Sequence, residues 1–193
     1  MRLTLALAAA SLIMTTAAAS AAQTTRVTVY RPFGNSTLST RFTVVRTAKG
    51  QCFSGSVADP RRDAWRCSIG NAIADPCFSD DAVPSWVVCP EDSSPFGTRV
   101  VRLALAKALP RSLGNHGSAG QGNPWAIKLA GGEICTFLTG ATFAFHGKRV
   151  NYGCSKKTFL AGSPARTSAA WTIVLGTGPK SKPRTAVILV AAW

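Results

Sequence analysis

The sequence predicts a mostly β fold: a small, disulfide-stapled barrel or sandwich with one or two short helices. Three observations carry that expectation. Short runs of β-branched and aromatic residues alternate with polar ones, turn residues interrupt them at short intervals, and 6 cysteines are spread along 193 residues. Hydrophobic residues make up 46% of the chain and charged residues 16%, a composition that can bury a core and that excludes a disordered polybasic tail. A large multidomain enzyme is excluded by length alone.

Taken in order, the strand candidates begin with Arg26-Val27-Thr28-Val29-Tyr30 and Arg41-Phe42-Thr43-Val44-Val45, both alternating, followed by Gln51 to Val57. Ser85 to Cys89 and Arg99 to Leu105 are next. Trp125 to Leu129 and Ile134 to Leu138 flank Gly131-Gly132, a hairpin signal because glycine accepts positive φ. Ala141 to Phe145 and Arg149 to Tyr152 straddle His146-Gly147, a second hairpin. Ala169 to Leu175 and Thr185 to Ala192 close the chain around a Gly/Pro/Lys loop. One helix start is legible: Asp59 as N-cap with Pro60 in the first helical position predicts a short helix over Arg61 to Ser68, ended by Gly70 or Asn71. Residues 111–123 carry no apolar periodicity and read as a surface loop.

Met1-Arg2, an apolar run from Leu3 to Met14 and the small residues Ala17 to Ala22 form the pattern of a secretory signal over 1–22. The apolar run is shorter than the ~20 residues that span a bilayer, so no transmembrane span is expected in the mature chain. The remainder divides into a basic N-terminal extension, 23–39, and a single β-rich domain, 40–193. The expected location is secreted or periplasmic.

All six cysteines, Cys52, Cys67, Cys77, Cys89, Cys135 and Cys154, fall after the signal. An even number in an exported chain points to disulfides. The spacing lacks the close C-x2-C pairs of a zinc site, so no metal and no cofactor is expected. Several connectivities are open; the sequential one, Cys52–Cys67, Cys77–Cys89 and Cys135–Cys154, is the expectation. Each bridge would close a short loop and contribute about 3 kcal/mol in the chain-entropy view.

Charge is unevenly placed. The whole chain carries 22 basic and 8 acidic side chains, a net +14. Seven of the acids, Asp59, Asp63, Asp75, Asp80, Asp81, Glu91 and Asp92, crowd the Cys-rich middle, and Glu133 stands alone among the basic groups that follow. Such a surplus attracts polyanions. The loop and turn clusters Lys148-Arg149, Lys156-Lys157 and Lys180, Lys182 and Arg184 are the weak candidates for contacting one. The expected partner is an anionic polymer outside the cell (cell wall, lipopolysaccharide or acidic glycan), and nucleic acid is not expected in vivo.

The leading functional expectation is thus an exported, non-enzymatic domain binding an anionic cell-surface or extracellular partner. One alternative is a cell-wall or polysaccharide hydrolase using the middle carboxylates, since glycoside hydrolysis needs a pair of them across a cleft. Another is a secreted protease inhibitor. Only His116 and His146 are available for histidine chemistry, one in the Gly-rich loop and one in a hairpin turn, and no catalytic residue is assigned. Trp86, Trp125 and Trp171 lie in strand-like runs and are expected in the core; Trp65 sits among Arg61, Arg62 and Arg66.

The run Asp63-Ala64-Trp65-Arg66-Cys67, then Gly70-Asn71, Asp75-Pro76-Cys77-Phe78, Asn151-Tyr152-Gly153-Cys154 and Ala170-Trp171-Thr172-Ile173, resembles a pattern in uncharacterised exported, disulfide-rich bacterial proteins, chiefly actinobacterial. The resemblance covers roughly residues 50–193. It implies an extracytoplasmic, disulfide-bonded domain and carries no activity with it.

Overall fold

A computed structural model of the chain describes residues 23–83, 85–91, 96–109, 117–118 and 120–193. The expected signal, 1–22, lies outside them, as do Asp92 and His116. The described residues are almost all strand and turn, and they close two small barrels.

The chain opens with β1 (Arg26–Thr28) and a two-residue hairpin, β2 (Phe33–Gly34) and β3 (Thr37–Leu38). The first barrel is β4 (Thr43–Gly55), β5 (Ala64–Ile69), β6 (Ala72–Phe78), β7 (Trp86–Pro90) and β8 (Arg99–Leu105). Each strand pairs antiparallel with the next. Because the number of strands is odd, β8 ends up running the same way as β4, and the ring closes through a parallel pairing from Thr43↔Arg99 to Gly50↔Leu105. The second barrel takes β9 (Ala126–Leu129), β10 (Ile134–Phe137), β12 (Lys148–Cys154), β13 (Phe159–Ala165), β14 (Trp171–Gly176) and β15 (Arg184–Ala192), with β11 (Ala144–Phe145) paired to the start of β12. Here the ring has six strands, so it closes antiparallel, Ile188↔Leu129 to Ala192↔Ala126. The pairing of β14 with β15 stops at Ile188, and β1 pairs in parallel with β15 beyond it, Arg26↔Val190 to Thr28↔Ala192. Closure removes the open edges that would otherwise invite pairing with other chains.

Alternation along the strands decides what fills each ring. Trp65, Cys67, Cys77, Val87, Cys89 and Leu103 form the buried cluster of the first barrel, with Cys52 packed against it. A ring of five strands has little room inside, and sulfur takes much of it. The wider second ring holds Ile127, Leu129, Cys135, Tyr152, Leu160, Ile173, Ile188 and Trp193, and the Tyr152 hydroxyl donates to the Pro124 carbonyl at 2.9 Å. A third cluster bridges the two barrels: Tyr30, Phe42, Phe78, Val88 and Val100 pack with Trp125. Tyr30 sits 5.0 Å from Phe78 and 5.7 Å from Trp125, ring centre to ring centre. Fully burying one such side chain is worth about 1.5–3 kcal/mol, so the barrels are joined by a core and not by a loose linker. A fourth, smaller cluster of Phe145, Val150, Phe159 and Ala161 brings β11 against β12 and β13.

The six cysteines are all bridged, as Cys52–Cys67, Cys77–Cys89 and Cys135–Cys154. Each bridge ties two strands that are neighbours in a ring: β4 to β5, β6 to β7, and β10 to β12. Cys52 stands opposite Cys67 and Cys135 opposite Cys154 in the strand register. Sequential pairing is what an antiparallel meander produces, because neighbours in space are neighbours in sequence.

One expectation is corrected. The helix predicted over Arg61 to Ser68 is absent; no helix occurs among the described residues, and Ala64–Ile69 is strand β5. Asp59 does cap, but locally: its Oδ1 accepts the Arg61 N–H at 3.0 Å, and Ala64 N–H then bonds the Arg61 carbonyl in a single turn. Beyond that turn, Trp65 and Cys67 face the same way with period two, and the segment pairs with β4, Cys67 opposite Cys52. Gly70, at φ 58°, turns β5 into β6 instead of ending a helix.

Two further facts concern the stretches expected as units. Within 40–193 the strands close two rings in succession, and the basic stretch 23–39 supplies β1 to the second barrel and a hairpin whose Phe33 and Leu38 pack on the shared core. Among the described residues no helix is long and apolar enough to cross a membrane.

Candidate functional site

The acidic middle and the basic second barrel were the two places where chemistry was expected, and the structure treats them differently. Among the described residues of the acidic middle, Asp59, Asp63, Asp75, Asp80 and Glu91 are engaged within the fold. Arg61, buried at 5% exposure, takes Asp63 in a two-pronged pair, Nε to Oδ1 at 3.0 Å and Nη2 to Oδ2 at 2.7 Å. Its Nη1 donates to the carbonyls of Tyr30 at 2.6 Å and Trp193 at 3.3 Å, and its guanidinium lies 4.6 Å above the Phe78 ring. Asp59, fully buried, stands 3.8 Å from Arg61 Nε. Burial pushes its carboxyl up to about 6 against the pull of Arg61.

Asp75 is buried beside this group. It accepts the Ser56 hydroxyl and the Val57 N–H, and Ser56 Oγ in turn accepts the N–H groups of Ala58 and Asp59. Burial raises the Asp75 carboxyl too, opposed by those hydrogen bonds and by Arg66 at 4.0 Å. Arg66 also reaches across to the Thr139 carbonyl of the second barrel. Asp80 caps the Ala82 N–H, and Glu91 pairs with Arg99 at 2.6 Å. Asp81 is exposed in a turn. The acidic middle is therefore largely a joint: Asp59, Arg61, Asp63 and Arg66 help to lock β5 and its approach loop to the second barrel. Next to it, a groove of about 210 Å³ runs between the barrels, lined by Ser56, Val57, Ala58, Pro60, Gly122, Asn123 and Phe137, with no acidic side chain on its lining.

The tryptophans are spoken for as well. Trp125 and Trp193 are buried, and Trp65 donates from Nε1 to Ser79. Trp86 lies between Phe33, 5.2 Å away, and the guanidinium of Arg102, 4.3 Å from its ring centre. Trp171 packs edge-on to Trp193 and under Arg166, whose guanidinium is 4.7 Å from the ring centre. Arg166 also holds the carbonyls of Gly120 and Gly122.

The basic candidates sort by barrel end. In an antiparallel ring, alternate turns share an end, so the turns after β9, β12 and β14 lie together. Lys156 and Lys157 occupy the turn after β12, and Lys180 and Lys182 the turn after β14, with Arg184 opening β15; all five are exposed. Lys148 and Arg149 belong to the other end of β12. Arg149 is also committed: it donates to Asn151 Oδ1 and to the carbonyls of Leu138 and Gly140. Five of the seven candidates thus share one rim, and two do not.

That rim lies at one end of the second barrel. A groove of about 280 Å³ opens there, lined by Leu129, Ala130, Gly131, Glu133, Leu175, Arg184, Thr185, Ala186 and Val187. Leu129, Leu175 and Ala186 are the outermost layer of the barrel's own core, so the floor is apolar. Glu133 is turned to an internal task, its Oε1 accepting the Lys156 N–H at 3.1 Å and the Thr158 hydroxyl at 2.6 Å, which fixes the turn that presents Lys156 and Lys157. Composition marked the lysines; the role of Glu133 as their support had no signal beyond its isolation in a basic stretch.

Compared with known proteins, the chain matches no protein-family model, no curated protein and no solved structure.

Proposed function

We propose that the chain is an exported, non-catalytic double-barrel protein that binds an anionic polymer outside the cytoplasm, a wall polymer, lipopolysaccharide or acidic glycan. The observation that carries this reading is the gathering of Lys156, Lys157, Lys180, Lys182 and Arg184 on one rim of the second barrel, on turns anchored by Glu133 and by β14–β15 pairing. Cations held on short turns of a closed barrel lose little freedom on contact and sum their fields over one surface. Three disulfides suit an oxidising compartment. The engagement of Asp59, Asp63, Asp75 and Glu91 with arginines and backbone N–H groups leaves the middle region to architecture.

The test is retention on immobilised heparin and on isolated cell wall. Wild-type protein is expected to bind at low salt and elute as ionic strength shortens the Debye length. Replacing Lys156, Lys157, Lys180 and Lys182 together by Gln is expected to abolish retention, whereas Lys148→Gln, at the opposite end, is expected to leave most of it. Passage of wild type straight through both columns at low salt refutes the reading, as does equal loss with Lys148→Gln alone.

A further inference from the structure

The groove at the barrel mouth, which Arg184 alone of the five rim cations lines, offers something a bare polyanion does not need. The floor of the barrel mouth is the apolar layer of Leu129, Leu175 and Ala186, flanked by Ala130, Gly131 and Val187. The polar side chains on the lining are Glu133, Thr185 and Arg184. Glu133 is buried at 8% exposure and already accepts from Lys156 and Thr158. Arg184 is exposed, at the lip, two positions before Ala186 on the same strand face. An apolar floor with one convergent cation at its lip and further cations on the adjacent turns is an amphiphile's negative image. A sugar would find too few polar partners on that floor, whereas barrel mouths are a recurrent place for small apolar ligands.

We propose that the mouth of the second barrel binds a single acyl chain bearing an anionic headgroup, the first few methylenes lying against Leu129, Leu175 and Ala186 and the headgroup paired with Arg184. The ring below is filled by Tyr152, Leu160, Ile173 and Ile188, so the chain end rests in the mouth and does not thread the barrel. A groove of about 280 Å³ suits a short or medium chain. The occupant is the free acid in solution, since the turns around the mouth, Ala130-Gly131-Gly132, Ser155 to Thr158 and Thr177 to Pro183, carry no large apolar side chain to insert into a bilayer. This assignment rests on the reading that the rim receives anions, and it narrows that reading to one ligand class at one point.

The experiment is titration of the intact, oxidised protein with acetate, butyrate, hexanoate and octanoate at millimolar concentration, followed by methyl chemical shifts and calorimetry. Affinity is expected to rise about threefold per added methylene as apolar surface is buried, with shifts concentrated on Leu129, Leu175, Ala186 and Val187. Arg184→Leu, which keeps apolar bulk and removes the charge, is expected to weaken octanoate about tenfold and to bring octanoate and octanol together. Equal affinity for acetate and octanoate, shifts elsewhere on the protein, or binding to vesicles containing phosphatidylglycerol without binding to octanoate would each overturn the proposal. Octanoate binding by a protein that ignores heparin would sink the polymer reading alone; heparin binding without octanoate binding would sink the acyl proposal alone.

Discussion

Arg61 grips Asp63 with two of its nitrogens, 3.0 and 2.7 Å from the two carboxylate oxygens, and spends the third on the carbonyls of Tyr30 and Trp193. One side chain therefore joins the approach to β5, the segment after β1 and the residue after β15. These are three stretches far apart in the sequence, and Arg61 holds them beside the aromatic core shared by both barrels. Planar geometry is what permits this, and an ammonium has no equivalent fork.

Removing the guanidinium should be costly, because Asp59 would be left buried without its nearest cation and two carbonyls without a donor. Arg61→Met is expected to lose about 3–5 kcal/mol of unfolding free energy, read by urea denaturation. Arg61→Lys is expected to recover only a minor part. A loss below about 1 kcal/mol for Arg61→Met would mean that the joint does not depend on this residue.

Asp59 gives the joint a pH dependence of definite sign. Its folded carboxyl is raised from 3.8 to about 6 by burial, partly offset by Arg61 and by the Arg61 N–H, with Asp63 and Asp75 adding to the rise. Between these two values the folded state holds more protons than the unfolded chain, so this group's contribution falls as pH climbs from about 4 to 6 and is flat above. Asp75 shifts in the same direction. Asp59→Asn can keep the Oδ1 contact to the Arg61 N–H while removing the titration. Relative to wild type, the variant is expected to gain on the order of 1–3 kcal/mol between pH 4 and pH 7. Urea curves for both proteins at the two pH values decide it; parallel behaviour would refute the assignment.

What was legible beforehand was local. Arg99 to Leu105 reads as a strand because it is a short run rich in Val and Leu, and Gly131-Gly132 reads as a turn because glycine accepts positive φ, which Gly132 adopts at 78°. The Asp59-Pro60 pair reads as a helix cap, whereas in the fold it closes a single turn before the strand Ala64–Ile69. β6 and β13 are obscured by Pro76, Gly162 and Pro164, residues that break the strand pattern while the ring holds them in place. Ring closure is non-local: nothing in Thr43 to Gly50 announces a parallel partner in Arg99 to Leu105. The rim was half legible, since clustered lysines show in the sequence but the shared barrel end, and the withdrawal of Arg149 to Leu138 and Gly140, come only from topology.

Accessibility should order the reduction of the disulfides. Cys77 and Cys89 are 0% and 2% exposed inside the narrower ring, whereas Cys52 and Cys154 are each half-buried. With limiting dithiothreitol under native conditions, Cys52–Cys67 and Cys135–Cys154 are expected to open first, because exchange requires a thiolate to reach the sulfur. Alkylation and peptide mapping over time would show the sequence, and early loss of Cys77–Cys89 would contradict the packing of the first barrel. Replacing Cys77 and Cys89 together by Ala is expected to cost about 3 kcal/mol from the released chain alone, with a further cavity cost in the bore.

Gly50 offers a sharp test of how closely β4 lies against its neighbours in the first barrel. It pairs with Leu105 in β8, and a Cβ added there would meet the Ser68 carbonyl oxygen and the Leu103 side chain. The first obstacle is backbone on β5 and cannot rotate away; the second is a filled core position. Gly50→Ala would therefore have to push β4 off its neighbour, and the expected loss is about 1–3 kcal/mol by urea denaturation. Gly131→Ala, on the turn after β9 with no atom near the added carbon and no positive φ, is the matched control and is expected to change stability by under about 0.5 kcal/mol. If Gly50→Ala behaved like the control, β4 would not lie so close against β5 in solution, and the five-strand ring would have to be wider than described.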